Sequence, residues 1–192
     1  MHALANALWH AAALAQYERN PAKVECYSSD LIELSTRHNF AFWLSGGAIL
    51  RGWARSASGD AAKGLAWIEG GIEGWMASGG VLGMPYFLAL KAEALHLGQR
   101  TPEALEAISE GDALVERFES RYWSAELHRL RGVFLTAMAG DDAQIKASFR
   151  EAIRIAKEQK SVSLEKRAEA TYAEYHRQKA SAAGGRGFRL PL

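Results

Sequence analysis

The sequence has little cysteine, little proline and almost no excess of charge. Of its 192 residues one is cysteine and four are proline. The single cysteine, Cys26, excludes an internal disulfide and a cysteine-rich metal cage, and it fits a reducing, cytoplasmic location. A formal net charge of +1 provides no global field to attract nucleic acid. We therefore expect no nucleic-acid partner.

Long apolar runs are also missing. No stretch reaches the ~20 consecutive apolar residues that a membrane-spanning helix needs, so we expect no membrane association. The alanine-rich segment 1–15 has the composition of a signal peptide, but it lacks a cationic start and contains Asn6, Trp9 and His10. We interpret it as the first helix of the mature fold.

Helical spacing of apolar residues runs through the whole chain, and the alternation typical of strands is nearly absent. Helix-start signals stand at Asn20-Pro21, Asp60, Thr101-Pro102 and Asp141-Asp142, and glycine stop signals at Gly59, Gly98 and Gly140. Together they predict an all-α fold with nine helices, at 2–18, 21–37, 40–57, 61–77, 84–97, 102–118, 122–138, 142–158 and 162–179.

Several features recur about every 40 residues. The start signals are separated by 40, 41 and 40 positions, and leucine recurs at Leu50, Leu90 and Leu130. An isoleucine ladder runs through Ile32, Ile72, Ala113 and Ile153. Two ladders of small residues are Ala12, Gly52, Ala92 and Gly132, and Cys26, Ala66, Ala107 and Ala147. Larger side chains at a helix crossing would push the axes beyond the usual ~8–10 Å. We therefore predict that both small-residue ladders, the Cys26 thiol included, are buried at crossings.

Three segments carry a resemblance to a known repeat family: Ile49–Ala54, Gly83–Ala94 and Trp123–Gly132. A small residue in each helix of a pair, with proline or a capping residue between them, resembles the tetratricopeptide pattern, although the period exceeds the usual ~34 residues. The lengthened repeats are similar to the C-terminal arms of large bacterial signalling proteins. In those proteins a nucleotide cyclase or winged-helix regulator domain precedes a predicted ATPase.

The resemblance implies an α-solenoid of four to five antiparallel helix pairs over 1–179. The segment 180–192 is rich in alanine, glycine and arginine, and this composition predicts a flexible C-terminal tail. The resemblance also implies a docking or sensing role in signalling. The chain departs from the family because it begins directly in a repeat and contains no Gly-x-x-x-x-Gly-Lys-Ser/Thr phosphate loop. The activities of the neighbouring domains are therefore not carried over.

The sequence offers no recognisable catalytic constellation. Glu93 and His96 form one Glu-x-x-His pair, whereas di-iron bundles use two such pairs and two further glutamates. No Gly-x-Ser-x-Gly elbow is present, so we expect a non-enzyme without cofactor or metal. Two alternatives remain open. One is a sensor arm that binds a small anionic ligand on its concave face, and the other is an enzyme subunit with an unrecognised site.

Basic residues recur with the same period. Arg51, Lys91 and Arg131 are 40 residues apart, and Arg55 and Arg129 lie near them on the same helices. In the family these helices line the concave side, so the resemblance predicts a basic strip for an acidic peptide, a carboxylate or a phosphate. The alternative is that these are solvated side chains with Glu93 and Glu126 as local partners.

The expected partner is a protein or peptide. Helix 2–18 is apolar around much of its circumference, which predicts self-association through this helix or coverage by a further repeat. Trp43 and Trp123 occupy one repeat position and are interpreted as packing residues, with an aromatic wall in a peptide groove as the alternative. In the tail, disorder is expected; alternatively, the apolar residues Phe188, Leu190 and Leu192 dock in a groove.

Overall fold

The computed structural model describes residues 1–119, 121–181 and 190–192, and this part of the chain is helical without a strand. Each predicted helix is present, with ends within two residues of the prediction. None of the described helices has the length and apolar character needed to cross a membrane. The helices are α1 His2–Tyr17, α2 Pro21–His38, α3 Ala41–Ala57, α4 Ala61–Ala77, α5 Met84–Leu97, α6 Thr101–Phe118, α7 Ser124–Ala137, α8 Asp142–Glu158 and α9 Val162–Ser181.

The chain divides into two compact units, 1–100 and 101–192. The first contains α1 to α5, and the second contains α6 to α9. Within each unit every helix packs against the next along the chain. Alternate helices also touch: α3 contacts both α1 and α5, and α7 contacts α9. A 3₁₀ turn, Arg121–Trp123, leads into α7.

The predicted helix starts are confirmed at three capping residues. The side chains of Asn20, Asp60 and Asp141 each accept a hydrogen bond from the backbone N–H three residues later, at 3.1, 3.3 and 3.0 Å. Such bonds satisfy N–H groups that have no partner inside the helix. The sequence therefore sets these boundaries through local chemistry.

The helix ends show the 40-residue period in the backbone itself. Most helices are followed by a residue with positive φ, in two series: Arg19, Gly59, Gln99 and Ala139, and Asn39, Gly79, Glu119 and Lys160. Glycine was predicted at three of these helix stops, Gly59, Gly98 and Gly140. At the last two the residue with positive φ is instead the one beside the glycine, Gln99 or Ala139. A left-handed conformation is unfavourable for these residues. Backbone hydrogen bonds close both turns: the N–H groups of Arg100 and Gly140 donate to Leu95 and Leu135, each at 2.9 Å.

The first ladder of small residues lies at helix crossings, as predicted. Ala12, Gly52, Ala92 and Gly132 are buried, and Leu50, Leu90 and Leu130 are at most 1% exposed. A Cβ atom at Gly52 would lie 2.6 Å from the Gly64 carbonyl oxygen on α4. At Gly132 it would lie 2.7 Å from the Phe149 ring on α8. Both glycines thus allow the next helix to approach closely.

The second ladder was placed on the wrong face of its helices. Cys26, Ala66 and Ala147 are exposed, and only Ala107 is buried. The buried positions are Val24, Gly64 and Ile145, two residues earlier. Two residues correspond to a rotation of about 200° around an α-helix, so the predicted positions point away from the crossing. Cys26 is consequently not the buried structural thiol that we predicted.

The isoleucine ladder is only partly internal. Ile72 is buried, Ile32 and Ile153 are half-buried, and Ala113 is exposed. Trp123 is 5% exposed, in agreement with a packing role. Trp43 is half-buried, with its ring 6.5 Å from the ring of Trp9.

Helix α1 and the C-terminal segment 180–192 were each the subject of a prediction, and the structure describes both in part. Helix α1 buries Ala5, Ala12, Ala13, Ala15 and Gln16 but leaves Leu4 and Leu14 at least half exposed. Self-association through α1 stays a prediction. Helix α9 extends to Ser181, so its last two residues lie within the predicted tail. Residues 182–189, including Phe188, lie outside the described residues, while the Pro191 carbonyl accepts a hydrogen bond from Arg129 at 3.2 Å.

Two glycines of α4 should respond oppositely to the same substitution. In Gly64→Ala the new methyl group collides with the Ser56 hydroxyl and the Gly52 carbonyl, so we expect unfolding free energy to fall by about 1–3 kcal/mol. Gly70 has no atom within 4 Å of the Cβ position, and Gly70→Ala should stabilise by about 0.5–1 kcal/mol through helix propensity. Urea denaturation measures both, and equal shifts would contradict the assigned crossing.

Candidate functional site

Each of the three ladder cations forms an ion pair with the helix that precedes its own. Arg51 donates to Glu25 of α2 at 2.9 Å, and Lys91 lies 3.1 Å from Glu69 of α4. Arg131 pairs with Asp112 of α6. All three cations are about one quarter exposed. The three cations that recur every 40 residues in the sequence thus each pair with an acidic residue of the preceding helix.

Arg51 and Arg55 form a cluster with one shared carboxylate. The Arg51 guanidinium stacks over the Trp67 ring at 4.5 Å while its Nε donates to Glu25 Oε1. Arg55 donates from Nη2 to the same oxygen at 3.3 Å. The Nε of Arg55 is buried and has no hydrogen-bond partner in the described structure. The Glu25 carboxylate thus pairs with two guanidinium groups, so this cluster has one positive charge in excess.

Arg129 differs from the other candidates because it is internal. It is 1% exposed and donates to both carboxylate oxygens of Glu126, at 2.9 and 2.8 Å. Thr171 accepts from Arg129 at 3.4 Å, and Arg167 donates to Glu126 at 3.2 Å. Glu126 is therefore a local partner of Arg129, but the solvated side chain that the alternative interpretation expected is instead buried. The guanidinium belongs to an ion cluster in the core of the second unit.

Glu93 forms a comparable internal cluster in the first unit. This carboxylate is 2% exposed and accepts hydrogen bonds from Arg19 and from Trp53 Nε1, both at 2.9 Å. Its Glu-x-x-His partner is His96. Burial lowers the pKa of His96, and the Glu93 carboxylate partly opposes that shift. Glu93 thus has a defined internal role, and it is not among the contacts of the three ladder cations.

An open apolar groove of about 540 Å³ lies over α3, between α2 and α4. We call it the α3 groove. Arg51 of α3 is its one charged lining residue, and Gly70 and Gly71 of α4 contribute no side chain to it. It is lined by Ile32, Leu44, Ser45, Ala48, Arg51, Ala66, Trp67, Gly70 and Gly71.

A second opening of about 540 Å³ lies over α7, between α6 and α8. We call it the α7 cleft. Its lining is polar and charged, with Val115 and Ile155 as the apolar exceptions. It is lined by Asp112, Val115, Glu116, Arg121, Ser124, His128, Glu151, Arg154, Ile155, Glu158 and Gln159.

The two openings occupy equivalent positions in the repeat. An offset of 80 residues relates Ile32 to Asp112, Leu44 to Ser124 and Ala48 to His128, and an offset of 81 relates Gly70 to Glu151. Apolar or small residues of the first unit are therefore replaced by hydrogen-bonding or charged residues in the second. Neither Ser124 nor His128 belongs to a motif that predicts a site from the sequence. Alignment of the chain with itself at 80 residues would have revealed the contrast.

Three side chains of the α7 cleft have unusual environments. Ser124 is 6% exposed, and its hydroxyl has no hydrogen-bond partner in the described structure. Burial lowers the pKa of His128, and the nearby Asp112 carboxylate partly opposes that effect. At neutral pH the imidazole is therefore uncharged, with one nitrogen able to accept a hydrogen bond. A hydrogen bond from Arg154 lowers the pKa of Glu151, which keeps that carboxylate ionised.

Comparison with known proteins gives one informative match. No family model matches the chain, and no solved structure matches it. An uncharacterized protein of Rhizobium meliloti (strain 1021) is 32% identical to it over 170 residues, which is 87% of this chain and 16% of the relative. The chain therefore spans about a sixth of the length of that protein and is similar to one segment of it.

Proposed function

We propose that this chain is a non-catalytic protein-interaction scaffold, like the signalling-protein arms that it resembles. Its α3 groove is proposed to bind an apolar segment of a partner protein that carries a carboxylate. The observation that carries this proposal is an open apolar groove with surplus guanidinium charge in its lining.

The apolar part of the groove is suited to a protein segment. Leu44 is 37% exposed, and Trp67 and Ile32 are half-buried. Covering such side chains contributes roughly 25 cal/mol for each Å² of apolar surface removed from water. Gly70 has nothing within 4 Å of its Cβ position, so a ligand side chain has room to enter beside α4.

The charged lining residue of the groove adds a requirement for a carboxylate. Arg51 and Arg55 share Glu25, and Arg51, which lines the groove, is 24% exposed. A second carboxylate would neutralise the surplus charge and accept from a guanidinium, which is a strong, charge-assisted hydrogen bond. This requirement favours an acidic side chain or a free C-terminus next to the apolar residues of the segment.

The proposed architecture is a tetratricopeptide-like α-solenoid with a 40-residue period. The repeated left-handed residues and the buried ladder at Gly52 and Gly132 support a common helix-pair unit. In such arrays successive pairs bury one another and leave extended grooves as binding surfaces. A scaffold of this kind needs no cofactor, and its specificity lies in the lining of each groove.

Filling the α3 groove should abolish peptide binding without harming the fold. A fluorescent eight-residue peptide rich in leucine and containing one glutamate should bind the wild-type chain. In Gly70→Trp the indole occupies the groove, and we expect at least tenfold weaker binding, about 1.4 kcal/mol. Ala62→Trp is the matched control, because Ala62 is an exposed residue of α4 outside the groove lining. Fluorescence anisotropy gives the affinities, and circular dichroism checks folding.

Peptide variants separate the apolar and ionic parts of the proposal. Replacing the peptide glutamate by glutamine should weaken binding to the wild type, and Arg51→Gln should reduce that preference. Binding should also decline as salt shortens the Debye length below ~8 Å. If acetate or phosphate competes fully with the peptide, the groove binds small anions instead. Equal affinities of Gly70→Trp and Ala62→Trp would refute the groove as the docking site.

A further inference from the structure

The α7 cleft lies in the second unit and shares no lining residue with the α3 groove. We propose that it binds a small organic cation with N–H donors, an ammonium or guanidinium group. Three features of the second unit lead to this proposal: an unsatisfied buried hydroxyl, an excess of carboxylates and a neutral imidazole.

The Ser124 hydroxyl is the first feature. Buried polar side chains in folded proteins are almost always hydrogen-bonded, so a buried hydroxyl without a partner requires an explanation. Ser124 is 6% exposed, lines the cleft and has no partner in the described structure. Its equivalent in the first unit is the exposed Leu44. A hydroxyl oxygen in this position is available to accept a hydrogen bond from a bound ligand.

The charge of the lining selects a cation. Asp112 is neutralised by Arg131, and the charges of Glu116 and Arg121 have opposite sign. Arg154, however, forms ion pairs with both Glu151 and Glu158, so one cation neutralises only one of two carboxylates. The cleft and its ion-pair partners thus retain one excess negative charge, from the α8 carboxylates. A monocationic ligand would complete the charge balance, whereas an anion would be repelled.

His128 supplies a further acceptor. It lies one helical turn after Ser124 on α7, and both side chains line the same cleft. The ammonium group offers three donors and the guanidinium group five, with no acceptor in either. Ser124, neutral His128 and the Glu151 carboxylate all present acceptors, so donors and acceptors are complementary. The volume of about 540 Å³ is in the range of small-molecule sites, ~300–1,000 Å³.

Two other chemistries fit the cleft less well. In the described part of the chain no three His, Cys, Asp or Glu side chains are grouped so as to hold a metal ion, which favours an organic cation. Ser124 and His128 also suggest a nucleophile with its base. The Ser124 hydroxyl makes no hydrogen bond to the imidazole, whereas an activated serine requires one.

The test uses the intact chain with isotope-labelled histidine, and follows the His128 ring signals by NMR. Butylammonium and butylguanidinium should produce saturable shifts of His128 at pH 7. Butanol and acetate, the neutral and anionic probes, should produce none. Acidification should weaken binding of the cations, because a protonated His128 loses its acceptor and repels them. Saturable binding of acetate in preference to butylammonium would overturn the proposal, as would no shift with either cation.

Variants locate the binding within the cleft. Glu151→Gln removes the excess charge, and Ser124→Ala removes the unsatisfied hydroxyl. Each should weaken butylammonium binding about fivefold, which corresponds to ~1 kcal/mol. Glu106→Gln is the matched control on α6, since Glu106 is exposed and outside the cleft. Unchanged affinity in both cleft variants would place any observed binding elsewhere and refute the proposal.

The source of the cation is distinguished by a second pair of probes. A short lysine-containing peptide and the same peptide with acetyl-lysine are titrated beside butylammonium. Tighter binding of the unmodified peptide identifies a protein side chain as the ligand, and tighter binding of butylammonium identifies a free amine. Equal affinities of the two peptides would show that the ammonium group is not recognised, which contradicts the proposal.

Discussion

Replacement of Arg129 by methionine should lower the free energy of unfolding by about 3–5 kcal/mol. Glu126 is 3% exposed, and Arg129 donates to both of its carboxylate oxygens. Methionine fills similar space without charge, so the substitution leaves a buried carboxylate that has lost the bidentate guanidinium and keeps its contact with Arg167, at 3.2 Å. Urea denaturation followed by circular dichroism at pH 7 measures the loss.

Two comparisons make this prediction specific. The double variant Glu126→Gln/Arg129→Met removes both charges of this buried pair and should recover most of the lost stability. Arg154→Met removes an arginine that is 53% exposed and paired with two glutamates of its own helix. Exposed pairs of that kind contribute about 0–1 kcal/mol. A loss as large in Arg154→Met as in Arg129→Met would show that burial of the ion pair is not the cause.

The helices were predictable because their boundaries depend on local chemistry. Asn20, Asp60 and Asp141 cap the helices that follow them through side-chain hydrogen bonds three residues away. Such signals are contained in four consecutive residues, and the 40-residue period repeats them. The all-helical fold could therefore be inferred before any tertiary contact was known.

The faces of the second helix in each pair were less predictable. The ladder through Cys26 and Ala66 consists of small residues, as a crossing requires, yet Val24 and Gly64 are the buried positions. Alanine is compatible with both an exposed and a buried helix face, so composition alone does not fix the rotation of the helix. A two-residue error in register moves a side chain to the opposite side.

The candidate site illustrates a different limit. The ladder of Arg51, Lys91 and Arg131 is visible in sequence, but its ion-pair partners come from the preceding helices. Those partners, Glu25, Glu69 and Asp112, are separated by 44 and 43 residues and therefore do not follow the 40-residue period. Arg129 lies two residues from Arg131, so the two side chains leave α7 on opposite sides. Arg131 is one quarter exposed, whereas Arg129 is buried.

Replacement of Glu93 by leucine should cost about 3 kcal/mol, the second large effect that we expect. Trp53 is 1% exposed, and its indole N–H donates to Glu93 at 2.9 Å. Leucine leaves this buried donor without an acceptor, which costs about 1–3 kcal/mol. The Arg19 guanidinium, 28% exposed, loses its partner as well. Urea denaturation measures the loss.

Glu93→Gln separates the two contributions to that loss. Glutamine keeps an oxygen that can accept from the Trp53 indole and removes only the charge opposite Arg19, so we expect a loss of about 1–2 kcal/mol. Glu69→Leu is the matched control, because Glu69 is 43% exposed and its pair with Lys91 should contribute about 0–1 kcal/mol. Equal losses in Glu93→Gln and Glu93→Leu would mean that the ion pair with Arg19, and not the indole hydrogen bond, stabilises this part of the core.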